Sequence, residues 1–443
     1  MFSSFFSGGL PKLSFNRAST ASTVNVPSVE VHDVETSLEK RDRRLKHLLK
    51  LNHANFSILY NHNRFHNHTP HILGSAYILG GSADHLTKIY EHVSHSGHEP
   101  WQDSPSEIAL HDYRDFLARK EYQRAWVDFF EDQLVEHSYD WKQVAARFLF
   151  ERGEKGSPNE RPMFSCLMGG LGHPLIHLGY AYELASREVG MEALGLAATC
   201  YDGKLAALLE DNLNTTSSNS TSTPIEDLTQ VFENTRKDIR LDAHFSHLNN
   251  NNLEHLLSTP ALTSILLEHF TSYNITSAQT TFQQSQHLAV ALLVSTSPSL
   301  NGHGYDFFLL HVLTTSHAIR VLIPFLPSEH HVPLLKQWLL TTLALYVTQL
   351  RPDILAANHA ITDYDTKGKT WDDATKMALE GKHKFDEHYV KGIRAIREAS
   401  KVYGDSGEWF EKAAVKFAVE FEEWGGFAVA GGDDVEGKER HIH

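Results

Sequence analysis

The chain has 443 residues, of which 41% are hydrophobic and 21% charged, so it is long enough to bury a large core. Its 55 acidic and 40 basic residues give a formal net charge of -15, which argues against a nucleic-acid backbone or an anionic membrane as the main partner. With 2 cysteines against 30 histidines, the chain lacks a disulfide framework and a cysteine-based metal site, and a cytoplasmic location is expected.

Apolar residues recur at spacings of three and four along most of the chain, so we predict an all-α fold with no membrane-spanning helix. Residues 1–30 are rich in Ser and Phe and contain only one arginine. Because transit peptides are rich in arginine, we predict a disordered tail here instead. One helical domain is expected over residues 31–430, with a flexible loop at 212–224 and a disordered tail at 431–443. The predicted helices span residues 34–57, 70–80, 83–95, 107–118, 123–137, 141–152, 174–188, 192–209, 260–273, 282–294, 305–322, 332–350, 371–402 with a break near 381, and 408–424.

Two segments share the pattern His, four residues, Leu-Gly, any residue, Ala-Tyr, any residue, Leu. They are HTPHILGSAYIL, which starts at His68, and HPLIHLGYAYEL, which starts at His173. A proline follows each histidine within two residues and is favoured at the first position of a helix. Both imidazoles are therefore expected at a helix N-terminus, where they suit a metal ligand. The alternative is a coincidence between two buried helices.

Two further histidines lie in strongly helical segments. The segment FFLLHVLTTSHAIRVLIPF around His311 is apolar on every face, which is typical of a buried helix. In DEHYVKGIRAIREASK, His388 and Lys391 share one helix face with small residues. A lone buried histidine is more often hydrogen-bonded than metal-bound, but four in such contexts favour a metal site built from several helices.

Lys391 needs a chemical reason for burial, because a charged amine is costly in a protein interior. The residues alone favour an ion pair with Glu387 or Glu398, which are near in sequence. The alternative is a neutral amine that captures carbon dioxide as a carbamate. A carbamate would supply the anionic oxygen that offsets part of the charge of a divalent metal held by neutral imidazoles.

Other histidines near these positions leave several roles open. His71, His177 and His317 are interpreted as substrate contacts, proton shuttles, alternative ligands or structural groups. His62 and His66 are weaker candidates in an upstream loop. The sequence contains no GxGxxG after a strand, no phosphate-binding GxxxxGK[ST], no GxSxG and no HExxH. The sequence therefore shows no site for a nucleotide cofactor. If the protein carries out oxygen chemistry, the metal would have to supply it.

Four blocks in order carry a family resemblance: NHTPHILGSAYILGGSADHL, GHPLIHLGYAYELA, FFLLHVLTTSHAIRVLIPFL and DEHYVKGIRAI. Together they resemble the questin oxidase-like family of fungal polyketide-pathway enzymes, over about residues 45–402. The resemblance implies an all-helical non-haem iron oxygenase whose Fe²⁺ is held by four histidines and a carboxylated lysine. Carried over by motif, the implied metal ligands are His68, His173, His311, His388 and Lys391.

The resemblance also implies a reaction of secondary metabolism, the oxidative cleavage of a C–C bond in an anthraquinone ring by molecular oxygen. Its substrate would be a small aromatic polyketide, with His71 or His177 as the catalytic proton carrier. Two alternatives remain. The first is an NADPH-dependent Baeyer-Villiger oxidation, although no nucleotide motif supports NADPH. The second is a helical binding protein without enzymatic activity. The side chains expected to line an aromatic pocket are Tyr77, Tyr182 and Tyr389.

Overall fold

A computed structural model describes residues 22–152, 162–212, 225–302 and 304–427. These residues form nineteen α-helices and only four two-residue strands, which confirms the predicted all-α class. The helices are α1 Lys40–Asn55, α2 Thr69–Ile78, α3 Ala83–Ser94, α4 Gln123–Glu136, α5 Trp141–Leu149, α6 Gly169–Leu184, α7 Arg187–Thr199, α8 Gly203–Asn212, α9 Leu228–Arg236, α10 Asn252–Ser258, α11 Pro260–Ser272, α12 Ala278–Val294, α13 Pro298–Asn301, α14 Phe307–Leu322, α15 His331–Thr348, α16 Ile354–Thr362, α17 Trp371–Glu380, α18 Glu387–Tyr403 and α19 Trp409–Glu420.

The strands add little to the architecture. Strands β1 (Leu59–Tyr60) and β2 (Phe65–His66) pair antiparallel, with Leu59 opposite His66. Strands β3 (Tyr305–Asp306) and β4 (Trp424–Gly425) pair in parallel. Their effect is local, since β2 leads into the first histidine motif and β3 leads into α14.

Four helices surround the centre of the molecule. Helix α6 packs against α2 and α14, and α18 packs against the same two helices, so the four form a closed ring. Helix α14 is buried along most of its length, as its all-round apolar sequence predicts. A side chain that points inward from any of these four helices therefore meets side chains from the other three.

Helix starts in this ring are fixed by side-chain caps. Asp306 accepts a hydrogen bond from the backbone N–H of Leu309 at the start of α14. Asp386 accepts from the N–H groups of His388 and Tyr389 at the start of α18. Such caps satisfy donors that the first turn of a helix leaves free, and they set where each helix begins.

Some predicted helices were wrong in detail. Residues 107–118 form only a 3₁₀ turn at Tyr113–Phe116. The helix predicted over 192–209 is two helices, α7 and α8, with a break after Thr199. The short helices α9, α10 and α16 had no predicted counterpart, because seven to nine residues carry too few turns for a clear periodic signal.

The predicted tails and the loop mostly lie outside the described residues. Where the N-terminal segment is described, Val24 and Val26 are buried and the backbone N–H of Val24 donates to Nδ1 of His331, so these residues pack against the helices. Residues 213–224 and 431–443 are not described. By length and composition alone Phe307–Phe325 could cross a membrane, but 83% of that window is buried inside the fold.

Candidate metal centre

The four predicted histidine ligands come from the four helices of the central ring. His68 stands at the N-cap of α2, directly before Thr69 and Pro70. His173 precedes Pro174 in α6, His311 lies in the second turn of α14, and His388 lies in the first turn of α18. Both members of the repeated motif therefore occupy helix starts, as the proline positions predicted.

A break in α6 places His173. Gly170, Leu171 and Gly172 have φ angles of 52, 57 and 76°, so three consecutive residues are left-handed before the regular helix begins. Leu171 adopts this conformation at an energetic cost, which is common at functional sites. The break turns the carbonyl of Gly170 toward the His173 ring, and Nδ1 of His173 donates to it at 2.6 Å.

The four imidazoles converge on one point. Nε2 of His68 lies 2.7 Å from Nε2 of His173. The ring centroids of His173 and His311 are 4.7 Å apart, those of His311 and His388 are 5.1 Å apart, and those of His388 and His68 are 4.6 Å apart. Ligand atoms of His173, His311 and His388 all lie within 4.8 Å of one another, a spacing that one metal ion can bridge.

Each ring is oriented by an oxygen next to its Nδ1 atom. Nδ1 of His311 donates to the carbonyl of Phe307 at 2.7 Å, as Nδ1 of His173 does to Gly170. Nδ1 of His68 and Nδ1 of His388 each lie 3.3 Å from the same Glu387 carboxylate oxygen. Metal-binding histidines typically have such oxygen partners on the second nitrogen, which leaves Nε2 for the metal.

The environment favours neutral imidazoles, the protonation state that a metal requires. Burial lowers the pKa of His68, His173 and His311 well below the usual value, and the closeness of the other histidines and of Lys391 lowers it further. Among the described residues, no hydrogen-bond partner reaches Nε2 of His311. A buried nitrogen without a partner is costly, and a metal ion would satisfy it.

Lys391 lies one turn after His388 and is 2% exposed. Among the described residues, nothing forms a hydrogen bond or ion pair with its Nζ atom. Of the acids expected to pair with it, Glu398 pairs with Lys401 at 2.7 Å, and Glu387 faces the two histidines. Burial lowers the pKa of Lys391 to about 7, although the carboxylates of Glu387 and Asp386 raise it. The expected ion pair is therefore not formed.

The second pair of motif histidines forms a separate contact beside the cluster. Nε2 of His71 lies 3.0 Å from Nδ1 of His177, and both rings are buried. The ring of His71 is 5.3 Å from that of His68. Nε2 of His177 donates to Glu192 at 2.9 Å. His71 and His177 are thus adjacent to the cluster without being part of it.

The remaining histidine candidates divide clearly. Nδ1 of His317 accepts a hydrogen bond from Arg320 at 3.0 Å, within a cluster of buried arginines, so His317 does not join the four imidazoles. His62 is exposed. His66, a weaker candidate by sequence, lies beside the cluster. Its ring stacks on that of His173 at 3.8 Å, and the ligand atoms of His66, His68 and His173 lie within 4.8 Å of one another.

The aromatic residues expected in a substrate pocket have other partners in the structure. The hydroxyl of Tyr77 donates to Asp42, that of Tyr389 donates to the carbonyl of Ala418, and Tyr182 packs against Trp141. A cleft instead reaches the cluster at His68 and Glu387. Its lining residues are Tyr60, His68, Thr69, Ile72, His92, Val93, Ser96, His98, Phe385 and Glu387.

Two stacked pairs form the aromatic walls of this cleft. Tyr60 stacks on His98 at 4.8 Å, and His92 stacks on Phe385 at 4.1 Å. These four residues come from three separate parts of the chain, so no sequence motif joins them. At the base, the side chain of Glu387 is 21% exposed while the neighbouring histidines are buried, so Glu387 lies between the cleft and the cluster.

The fold and the donor atoms define a helical protein with a buried site of converging histidine nitrogens. A family model described as Questin oxidase-like matches residues 65–396, which span all five predicted ligands. The chain belongs to the Questin oxidase-like family, and the resemblance drawn from its motifs is confirmed.

Curated relatives support the same class. The chain is 28% identical to the Baeyer-Villiger oxidase AgnL3 of Paecilomyces divaricatus, over 82% of this chain and 80% of the relative. It is 25% identical to the Baeyer-Villiger monooxygenase AacuH of Aspergillus aculeatus, over 84% and 82%. It is also 25% identical to the questin oxidase of Aspergillus terreus, over 37% and 36%. These names support the predicted oxidoreductase class.

Proposed function

We propose that the chain is a non-haem iron-dependent oxygenase that cleaves a C–C bond in the ring of an anthraquinone-type polyketide. The observation that carries the proposal is the convergence of four imidazoles from four helices beside a buried amine with no partner among the described residues. The family membership and the oxidase names of the relatives support the reaction class. Iron itself is inferred from the family resemblance, since this donor set accepts several divalent metals.

The residues that would hold the metal are His68, His173, His311 and His388, each through Nε2. A divalent iron bound there supplies a site for dioxygen activation and polarises a substrate oxygen. Glu387 orients two of the rings from the cleft side, and the carbonyls of Gly170 and Phe307 orient the other two. Fixed rings keep the donor atoms in place before metal and substrate arrive.

Lys391 completes the donor set in this proposal as a carbamate. The reaction joins the neutral amine to carbon dioxide, forms an N–C bond and releases one proton. The burial of Lys391, and the lack of a carboxylate partner for it within residues 22–152, 162–212, 225–302 and 304–427, support the neutral amine that this reaction requires. The product is an anionic oxygen donor that offsets part of the metal charge.

The aromatic cleft is the proposed approach for the substrate. The stacked pairs Tyr60–His98 and His92–Phe385 give the cleft beside His68 an aromatic lining. Planar fused rings bind well against such surfaces. On the inner side, His71 would take up the proton of a phenolic hydroxyl, since its Nδ1 atom is buried and has no hydrogen-bond partner among the described residues.

The relatives' names favour a second candidate, Baeyer-Villiger insertion of one oxygen atom beside the ring carbonyl. With NADPH as reductant, that reaction yields a lactone, one water and NADP⁺. Direct dioxygenation of the reduced, hydroquinone form of the substrate needs no NADPH, because the substrate supplies the electrons, and it places both oxygen atoms in the product. The two reactions therefore differ in reductant demand and in the fate of oxygen.

The test is the stoichiometry of the reaction of an anthraquinone, supplied in its reduced hydroquinone form, with ¹⁸O₂, measured with and without NADPH on iron-loaded protein. The proposal predicts ring-opened product without NADPH, and two ¹⁸O atoms in each product molecule. Strict NADPH dependence with a single ¹⁸O atom would reject it in favour of oxygen insertion. No product under either condition would reject both.

A further inference from the structure

A continuous row of hydrogen bonds leads away from the histidine pair beside the cluster. Nε2 of His177 donates to one carboxylate oxygen of Glu192 at 2.9 Å. The other oxygen of Glu192 accepts from Nδ1 of His53 at 2.9 Å, and Nε2 of His53 donates to Glu131 at 2.8 Å. With the contact between His71 and His177, the row has five members and no gap longer than 3.0 Å.

The members of this row become steadily more exposed. The side chain of His177 is 1% exposed and that of Glu192 is 2% exposed. The side chain of His53 is 12% exposed, and that of Glu131 is 42% exposed. The row therefore begins in the interior beside the cluster and ends at solvent. It also crosses helices α6, α7, α1 and α4, so no single helix would produce it by periodicity alone.

The hydrogen-bond pattern gives the row a direction. The carboxylate of Glu192 can only accept, so His177 carries its proton on Nε2 and, when neutral, accepts at Nδ1 from His71. The inner nitrogen of His71, Nδ1, is then an acceptor. His53 lies between two carboxylates and donates to both. The indole N–H of Trp101 donates to the backbone carbonyl of His53 at 2.7 Å.

We propose that Glu192, His53 and Glu131 form a proton relay that connects the His71–His177 pair to solvent. The relay extends the proposed function, since it gives the proton of the phenolic substrate a route out of a buried site. None of the three residues is a proposed metal ligand or a neighbour of one. A structural ion pair would need only one carboxylate and one imidazole, whereas here both oxygens of Glu192 bind different histidines.

The proton balance of one passage is simple. A proton that reaches Nδ1 of His177 displaces its Nε2 proton onto Glu192. The imidazolium of His53 releases its Nε2 proton to Glu131 and solvent, and after its ring rotates it takes up the proton from Glu192. Rotation of the His177 ring restores its starting tautomer, so one proton has left and no charge remains.

The first test follows solvent exchange of the His177 ring N–H by NMR on metal-loaded, ¹⁵N-histidine-labelled protein. The relay predicts that exchange slows at least tenfold in His53→Gln and is also slower in Glu131→Gln, because the route outward is cut. Loss of a merely structural contact would loosen packing and make exchange faster. Faster or unchanged exchange in both variants would overturn the relay. His269→Gln, which removes a histidine paired with Asp238 at a distant site, is the matched control.

A second test separates the relay from the proposed reaction. If the reaction occurs, His53→Gln and Glu131→Gln lower kcat on the order of 10-fold at low buffer concentration, with KM unchanged and imidazole buffer restoring the rate. A loss that buffer does not restore would contradict proton transfer. If wild-type protein shows no reaction, the proposed function fails, while the exchange measurement still decides the relay.

Discussion

At the scale of single residues, Lys391 is unusual, because it is a buried amine beside four imidazoles and has no counter-ion within the part of the chain that the structure describes. If it is a carbamate, Lys391→Ala removes an anionic ligand and lowers kcat by at least 100-fold. Short carboxylic acids such as formate should restore part of the rate by occupying the vacated space. The measurement is activity with and without added acid.

Carbon-13 bicarbonate gives an independent check on the same residue. Wild-type protein should show a carbamate resonance that is absent in Lys391→Ala, and removal of carbon dioxide should lower activity reversibly. Full activity of Lys391→Ala, or no carbamate resonance in active wild type, would reject the carbamate. Lys416→Ala is the control, since Lys416 is buried to a similar degree but pairs with Glu420.

Glu387 provides a second prediction at this scale. Its carboxylate lies 3.3 Å from Nδ1 of both His68 and His388, so one substitution disturbs two rings. Glu387→Gln should weaken metal affinity by about 10- to 100-fold, the range typical for a residue that orients ligands. Metal titration measures it, with Glu380→Gln at an exposed position as control. Unchanged affinity would mean that Glu387 serves the cleft rather than the metal.

At the scale of elements, the start of α6 depends on Gly172. Its φ is +76°, and an added Cβ would overlap Cγ2 of Thr315 on α14. Gly172→Ala should lower the free energy of unfolding by about 2–4 kcal/mol, from left-handed strain and overpacking together. It should also weaken metal binding, because His173 follows directly. Gly302→Ala has a similar φ but open space, and should cost about 1 kcal/mol.

The double variant Gly172→Ala with Thr315→Ser isolates the overlap. Serine removes Cγ2 but keeps the hydroxyl that donates to the carbonyl of His311 at 2.7 Å. Chemical denaturation should therefore show recovery of about 1–2 kcal/mol relative to Gly172→Ala. No recovery would show that strain at residue 172 alone explains the loss.

Helices α1, α4 and α7 are joined by His53 with Glu131 and Glu192, and this link depends on pH. The two carboxylates raise the pKa of His53 to about 10 against the opposing effect of burial, and the histidines lower that of Glu192 to about 2. The charged His53 stabilises the fold fully below about pH 6.5, which is its pKa in the unfolded chain, and this stabilisation is lost as the pH rises toward 10. The charged Glu192 stabilises the fold fully above about pH 4.5, which is its pKa in the unfolded chain, and this stabilisation is lost as the pH falls toward 2.

His53→Gln should therefore lower the free energy of unfolding by about 3 kcal/mol at pH 6 and by much less at pH 9.5. Urea denaturation at the two pH values measures the difference. His287→Gln is the control, because His287 contacts the ring of Phe410 and has no carboxylate partner among the described residues. An equal loss at both pH values would contradict a charged His53.

At the scale of the whole molecule, the sequence predicted the helical class and the positions that meet. Equivalent positions of the repeated motif are in contact between α2 and α6. The side chain of His68 contacts that of His173, and the hydroxyls of Ser75 and Tyr180 lie 2.6 Å apart. Long amphipathic or apolar helices such as α14 carried a clear periodic signal. The choice of His311 over His317 came from the family motif alone, and the structure places His311 in one group with His173 and His388, whereas His317 lies outside that group.

The features that the sequence did not predict depend on contacts between distant segments. The cleft joins Tyr60, His92 and Phe385, and the row to solvent joins His53 with Glu192, which are 139 residues apart. No periodicity links such residues, because each lies on its own helix or loop. The role of Glu387 was also missed, since its nearness in sequence to Lys391 suggested an ion pair rather than a contact with two histidines.

The central claim is that four helices, separated by up to 320 residues in the chain, close around one metal ion. Metal content per chain, measured by mass spectrometry on purified wild type and on His68→Ala, His173→Ala, His311→Ala and His388→Ala, tests it most directly. We predict about one iron per chain in wild type and loss of that iron in each variant, with folded protein by circular dichroism. Wild type without stoichiometric metal, or folded variants that retain it, would contradict the claim.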